Sequence, residues 1–415
     1  MKILVVGGGS GGHITPAVSV VREVLERKPR TRVEFWTDKK YYKNVVKITT
    51  EIGVGWGGED KASTENKPYI RVRKIAAGKF HRYAGLKFRD YFDDGGKTLF
   101  DVTIGNLVGF FGFIGGWITA HVRLFSKKNR PDVIFLKGGF VGLPVGMAAK
   151  HFKIPYVIHE SDAVPGLANR ILMKNAAVVA TGVPFEGEHP TWEWVGIPVA
   201  PEFKPVSKTE QERLKKVAGF DPEKPLVIIT GGSQGAAHIN AAVREILPEL
   251  LKSTSVGLVA GRKHYEEMVD LKQYEEWDKA KLQSNFRLYN FSSTMNELMG
   301  AADVVVSRAG ATTIAELAAL KKAVILVPFE KLPGGHQSKN ATRMQKTGAC
   351  VVVPDAKMEK KPELLLEEIK TLIRSPKKRE EMAETLATYA KANAAGRLAE
   401  ILLEQVSGGS KDETR

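Results

Sequence analysis

The amino-acid sequence predicts an α/β protein of two similar halves, each a parallel β-sheet with helices on both faces. Two observations carry this expectation. A strand, a glycine-rich loop and a helix open the chain (KILVVGGGSGGHITPAVSVVREV, Lys2 to Val24), and the same device returns at Pro225 to Ile246 (PLVIITGGSQGAAHINAAVREI). Short Val/Ile/Leu runs then alternate with helical segments, the pattern of strands buried on both sides. Strands are expected at Arg32 to Trp36, Asp132 to Leu136, Tyr156 to His159, Ala177 to Ala180, Val256 to Ala260, Phe286 to Tyr289, Val304 to Ser307, Ala323 to Val327 and Cys350 to Val353. The prolines and glycine of VGIPVAPEFKPVS (Val195 to Ser207) mark a boundary. They place one Rossmann-like domain at 1–198 and a second at 199–415. The second is expected to end in a long charged helix, Pro376 to Val406, and a frayed tail. Asp38 to Gly96 is the least legible stretch and reads as loop with short elements.

Composition narrows the class. A chain of 415 residues exceeds one comfortable core. Its hydrophobic share of 43% and charged share of 26% exclude wholesale disorder. Cys350 is the only cysteine, so no internal disulfide or cysteine-built metal site is available, as befits a reducing compartment. No secretory leader is read ahead of the first strand.

The net charge is +15, and the excess is unevenly placed. Lys39, Lys40, Lys43 and Lys47 precede a run from Lys67 to Arg89 in which Phe80, Tyr83 and Phe88 are interspersed. An apolar stretch, Val102 to Phe125, follows and is closed by Lys127, Lys128 and Arg130. Basic, aromatic and apolar residues in succession suit an anionic membrane face. No nucleic-acid-binding signature accompanies the charge, so no nucleic-acid partner is expected. Val102 to Ala120 approaches the length of a membrane span, yet it carries five glycines and Asn106 and leads straight into a strand. It is read as a buried or interfacial helix rather than a span.

Four motifs carry chemistry. Gly7 to His13 (GGGSGGH) joins strand to helix, where glycines let backbone amides approach an anion at a helix N-terminus. Its spacing also meets the dinucleotide fingerprint, with Asp38 as a candidate ribose partner. An oxidoreductase therefore stays open, although it needs one such loop and the chain has two. His13, directly after the glycines, is placed to act as a general base or merely to cap its own loop. Ser307 to Glu316 (SRAGATTIAE) starts a helix whose amides and dipole suit a diphosphate, with Glu316 set to accept from ribose hydroxyls. Gln337 and Asn340, in PGGHQSKNA, offer amides suited to sugar hydroxyls. The cluster HESD (His159 to Asp162) has no second ligand set at helical spacing, and no Asp-x-Asp triplet occurs. No metal and no cofactor are expected; helix dipoles and cations must then stabilise a leaving diphosphate.

Together, GGGSGGHITP, HESDAVPGLANR, GGSQGA, SRAGATTIAE and HQSKNA occur in the order of the MurG family of peptidoglycan glycosyltransferases, which the chain resembles. The resemblance covers Met1 to about Thr37 and about Pro131 to Val406. It implies a GT-B architecture with the two sheets facing a central cleft. It also implies inverting, metal-independent transfer of N-acetylglucosamine from UDP-GlcNAc to the C4 hydroxyl of the muramoyl sugar of lipid I, giving lipid II. Working at the cytoplasmic face of the membrane, the first domain would serve acceptor and lipid, and the second would hold the donor. Residue by residue, the resemblance puts Ser10, Gly11 and Gly12 near phosphates and makes His13 the base. It puts Asp162 at the donor sugar, Ser233 at the diphosphate and Ser292 at a backbone contact with uracil. Ala311, Thr312, Thr313, Ile314, Ala315 and Glu316 would line the diphosphate, sugar and ribose, with Gln337 and Asn340 on sugar hydroxyls. Departures are Ala200 where relatives have arginine, for which Arg262 is a candidate substitute, Phe140 and Gly142 in GGFVGLP, and the Asp162 carboxylate in place of asparagine. A related transferase acting on diacylglycerol or another polyprenyl acceptor is the nearest alternative.

Overall fold

The computed structural model describes residues 1–9, 11–51, 55–56, 69–78, 97–185, 187, 189–232, 236–269, 284–330 and 335–409. Two compact units emerge, Met1–Ala200 together with Asn393–Arg415, and Pro201–Ala392.

Among the described residues of the first unit the strands are β1 (Lys2–Val6), β2 (Arg32–Thr37), β3 (Gly55–Trp56), β4 (Tyr69–Lys74), β5 (Val133–Leu136), β6 (Tyr156–Glu160), β7 (Val178–Thr181) and β8 (Trp192–Trp194). They pair in parallel in the order β3-β4-β2-β1-β5-β6-β7-β8. The second unit has β9 (Leu226–Thr230), β10 (Ser255–Val259), β11 (Phe286–Tyr289), β12 (Val304–Ser307), β13 (Ala323–Leu326) and β14 (Val351–Val352). These too are parallel, in the order β11-β10-β9-β12-β13-β14. Each order reverses beside the strand that opens the unit, between β1 and β5 and between β9 and β12. Ligands of doubly wound sheets bind outside the carboxyl ends of strands at such reversals. Register makes the point concrete: Val6 pairs with Leu136, and Thr230 pairs with Ser307. Gly7 and Lys137 therefore leave the first sheet side by side, as do Gly231 and Arg308 in the second.

Three strands escape the periodicity. In β4 (YIRVRK), Ile70 and Val72 are buried while three cations share the strand, so it reads as part of the basic run. β3 and β8 are two and three residues long.

The chain's end departs from the expected single long helix. Helices Pro376–Ala387 and Ala394–Gly409 are separate, and the second joins the first unit, so the second unit stops at Ala392 rather than 415. The reason is packing. Leu398, Ala399, Ile401 and Leu402 are buried in one cluster with Val18 and Val21 of helix Gly11–Arg27. Arg397 forks onto both carboxylate oxygens of Glu193 at 2.7 and 3.0 Å, and Arg27 meets Glu400 at 2.8 Å.

The apolar stretch forms helix Lys97–Phe125, and its glycines have a packing reason. Gly109, Gly112 and Gly116 share a face with the buried Ala120 and Leu124. The extended segment 75–78 lies directly on that face: a Cβ on Gly116 would fall 2.0 Å from the Ala76 carbonyl oxygen, and one on Gly78 would fall 1.6 Å from that of Gly109. The opposite stripe, Ile104, Leu107, Val108, Phe111, Ile118, Val122 and Phe125, is exposed. The helix is thus not buried, as one reading had it.

Gly116→Ala is expected to destabilise the protein by about 1–3 kcal/mol, because backbone must move to admit the methyl. Gly115→Ala, whose Cβ would meet only the Ala76 Cβ at 3.7 Å, is expected to be neutral or to stabilise by up to about 1 kcal/mol through helix propensity. Urea unfolding of the two variants checks the difference; equal midpoints would refute the close-approach account.

Candidate active site

At the switch point of the first sheet, the turn after β1 is held from outside by Asp38, which follows β2. Its Oδ2 accepts from the Gly9 N–H at 2.6 Å and its Oδ1 from the Tyr41 N–H at 3.0 Å. One oxygen of this carboxylate thus braces the glycine loop and the other the turn after β2. His13 lies in the first turn of helix Gly11–Arg27 with Nδ1 2.7 Å from the Gly8 carbonyl oxygen. A carbonyl can only accept, so Nδ1 carries the proton and Nε2 keeps a lone pair. Burial pushes the His13 pKa below the usual histidine value; the Lys137 cation adds to this, while the Gly8 carbonyl, Asp162 and Asp38 oppose it. The ring is clamped by Gly139, at φ +80°, where a Cβ would stand 3.0 Å from Cε1 and Nδ1. Only glycine fits there.

The HESD cluster is mostly scaffold. Glu160 closes β6 and is buried; one oxygen accepts from the Asp162 N–H at 3.0 Å, the other from the Gly166 N–H at 3.0 Å and Asn169 Nδ2 at 2.8 Å. Its pKa is raised by burial and by Asp162. His159, fully buried, donates its Nε2–H to the Gly196 carbonyl at 2.8 Å. Asp162 is partly exposed and acts electrostatically on His13, Lys137 and Glu160.

In the second unit, Ser233 lies outside the described residues, as Ser10 does in the first. Helix Ala311–Ala319 leaves β12, the sheet neighbour of β9, with Gly310 at the cap position, a residue that has no side chain to cap it. Thr312, Thr313, Ala315 and Glu316 are partly exposed, whereas the Ile314 side chain is buried, which leaves only its backbone for a ligand. Burial alone raises the Glu316 carboxyl to about 7. Gln337 spends its amide oxygen on the Phe329 N–H at 2.9 Å, and Asn340 donates to the Ala309 carbonyl at 3.2 Å. Ser292, beyond β11, accepts from the Thr294 N–H at 3.1 Å. Arg262, raised as a substitute for the arginine missing at Ala200, lies over the Phe291 ring at 4.6 Å.

One group of residues had no local signature. Arg308 donates to Asp355 and to the Val327 carbonyl at 3.1 Å, and its guanidinium lies over Phe329 at 5.2 Å. The other Asp355 oxygen meets His238 Nδ1 at 2.7 Å. This chain ties the β12 loop, helix Ala237–Leu250 and helix Asp355–Lys360 together. Arg308 sits inside SRAGATTIAE, but Asp355 and His238 are 47 and 117 residues away from their partners.

Each unit therefore gathers its residues at the carboxyl edge of its own sheet: Gly11, Gly12, His13 and Asp162 in the first, Ser292, Ala311 to Glu316, Gln337 and Asn340 in the second. Two doubly wound units so equipped define a glycosyltransferase, and the chain matches the glycosyltransferase family 28 N-terminal domain over residues 101–181 and the C-terminal domain over 226–398. Solved structures share the GT-B fold. Acinetobacter baumannii MurG superposes with a TM-score of 0.69 at 22% identity, covering 97% of this chain and 99% of that one. CalG4, the calicheamicin glycosyltransferase, gives 0.64 at 14% identity, covering 98% of each. The particular family follows from sequence. The Clostridium perfringens (strain SM101 / Type A) UDP-N-acetylglucosamine–N-acetylmuramyl-(pentapeptide) pyrophosphoryl-undecaprenol N-acetylglucosamine transferase is 34% identical over 379 residues, 91% of each chain. The protein of that name from Thermoanaerobacter sp. (strain X514) is 29% identical over 408 residues, 97% of this chain and 99% of that one. The chain belongs to this family, the MurG family of peptidoglycan glycosyltransferases.

Proposed function

We propose that the protein transfers N-acetylglucosamine from UDP-GlcNAc to the C4 hydroxyl of the muramoyl sugar of lipid I, with inversion. The observation that carries the chemistry is the His13 hydrogen bond to Gly8, which leaves Nε2 as a proton acceptor at neutral pH. As the C4 oxygen bonds to the anomeric carbon, its proton passes to Nε2 and the bond from that carbon to the UDP oxygen breaks. Charge gathers on the departing diphosphate, and the amide-rich N-terminus of helix Ala311–Ala319 and the Gly231–Gly235 loop suit it. Glu316 and Ser292 serve the uridine, Gln337 and Asn340 the sugar; Gly11, Gly12 and Asp162 serve the phosphate and sugar near His13. Turnover requires the first unit's acceptor and the second unit's donor to meet over one anomeric carbon. Release of UDP from UDP-GlcNAc and a short-chain lipid I analogue tests the reading. His13→Ala is expected to lower kcat by about 10²–10⁴-fold and to leave UDP-GlcNAc binding unchanged. Near-normal turnover of His13→Ala would remove the base assignment, and no UDP release by the wild type with this acceptor would remove the acceptor.

Membrane attachment is proposed through helix Lys97–Phe125. It is long and apolar enough to cross a bilayer over Thr103–Phe125, where 22% of the most apolar window is buried. Its glycine face is nevertheless occupied by segment 75–78, and Gly116 also approaches Pro144. A helix with protein along one face and an apolar stripe along the other suits lying in the interface, with Lys127 and Lys128 beside it for anionic headgroups. The aromatic and basic residues from Lys79 to Phe92 lie outside the described residues. Phe111→Glu with Val122→Glu should abolish co-sedimentation with vesicles containing phosphatidylglycerol. Undiminished sedimentation of that variant would assign attachment elsewhere.

A further inference from the structure

The segments that follow β9, β12, β13 and β14 meet in one side-chain cluster beyond the carboxyl ends of the second sheet. Arg308 follows β12, Phe329 follows β13 and Asp355 follows β14; His238 lies in the first turn of helix Ala237–Leu250, which follows β9. Asp355 is the centre. One of its carboxylate oxygens accepts from the Arg308 guanidinium and the other from His238 Nδ1 at 2.7 Å. A carboxylate paired with arginine can only accept, so Nδ1 carries the His238 proton. Nε2 of the same ring stands 3.6 Å from Glu359, on the helix that Asp355 starts. The Phe329 ring adjoins both partners, its centroid 5.2 Å from the Arg308 guanidinium and 6.3 Å from the His238 ring.

Two candidate sugar residues bond to the same cluster. The Phe329 N–H donates to Gln337 Oε1 at 2.9 Å, and Asn340 Nδ2 donates to the carbonyl of Ala309, next to Arg308, at 3.2 Å. Helix Ala311–Ala319 starts three residues beyond Arg308. Burying an ion pair gains little stability over apolar side chains of the same volume, so stability alone is a poor reason for this one.

We propose that His238 is a positioning residue for the donor diphosphate, its hydrogen bond to Asp355 tying the start of helix Ala237–Leu250 to the segment from which helix Ala311–Ala319 starts. The inference rests on the donor reading of the second unit. An anion shared between two helix starts is bound through their amides, and its contacts are only as good as the spacing between them. The uridine contacts proposed for Glu316 and Ser292 do not pass through His238, because Arg308 and Asp355 remain paired without it.

Binding of UDP and of uridine to the full chain, followed by ligand-observed NMR, separates the two parts of the ligand. His238→Ala should weaken UDP by about threefold to tenfold and leave uridine at its wild-type affinity. His238→Asn, whose amide nitrogen can take the place of Nδ1 as donor to Asp355, should restore UDP binding. Asp355→Asn should weaken UDP at least as much; where it does not fold, the His238 variants decide. A UDP affinity unchanged in His238→Ala overturns the proposal. So does an equal loss for UDP and uridine, which would mark a general loosening of the unit. If the wild type binds UDP no more tightly than uridine, the diphosphate reading of the second unit falls, and the inference with it.

Discussion

The hydrogen bond from His13 Nδ1 to the Gly8 carbonyl is the interaction on which the proposed proton transfer depends. It fixes the tautomer, and with it the atom left free to take a proton. Its surroundings are arranged to preserve it. Asp38 holds Gly9, the backbone at Gly139 closes over the ring, and the Phe140 ring lies against Gly9. The Gly139 and Phe140 contacts require β1 and β5 to be neighbours in register at the point where the strand order reverses, and the Asp38 contact requires β2 beside β1. Parallel topology is therefore the first cause, and the glycines are its local consequence.

The second unit repeats the topology but puts it to another use. Here helix Ala311–Ala319 starts beside the switch point, and the buried Arg308–Asp355 pair joins the segment before it to helix Asp355–Lys360. Removing either partner of the buried Arg308–Asp355 pair leaves an uncompensated charge, at a cost of about 3–5 kcal/mol, so these two side chains act as a unit. The division of labour that we propose accords with a transfer reaction: a proton acceptor at one edge and a site for the leaving diphosphate at the other.

Much of this was legible in the sequence because parallel strands buried on both faces are spelled as plain Val/Ile/Leu runs, and glycine loops announce where they end. β9, β12 and the helices after them follow this rule. Legibility failed where the rule does not hold. β4 mixes Ile70 and Val72 with arginines, and β8 is half-exposed throughout. The last helix looks continuous with its predecessor, since nothing local says that Leu398 and Leu402 will return to the first core. In the site, Gly11 to His13 and Ala311 to Glu316 stood out through motif and resemblance. Lys137, Asp355 and His238 did not, because their partners are set by strand order and not by spacing. The glycines of helix Lys97–Phe125 lie between these cases: visible as an anomaly, explained only once segment 75–78 is seen against them.

The tautomer and charge of His13 form the central claim, and ¹⁵N NMR of the ring nitrogens reads both at once. At neutral pH the account predicts a protonated Nδ1, an unprotonated Nε2 and a titration midpoint below that of an exposed histidine. An Nε2–H tautomer, or a ring already charged at neutral pH, would contradict it.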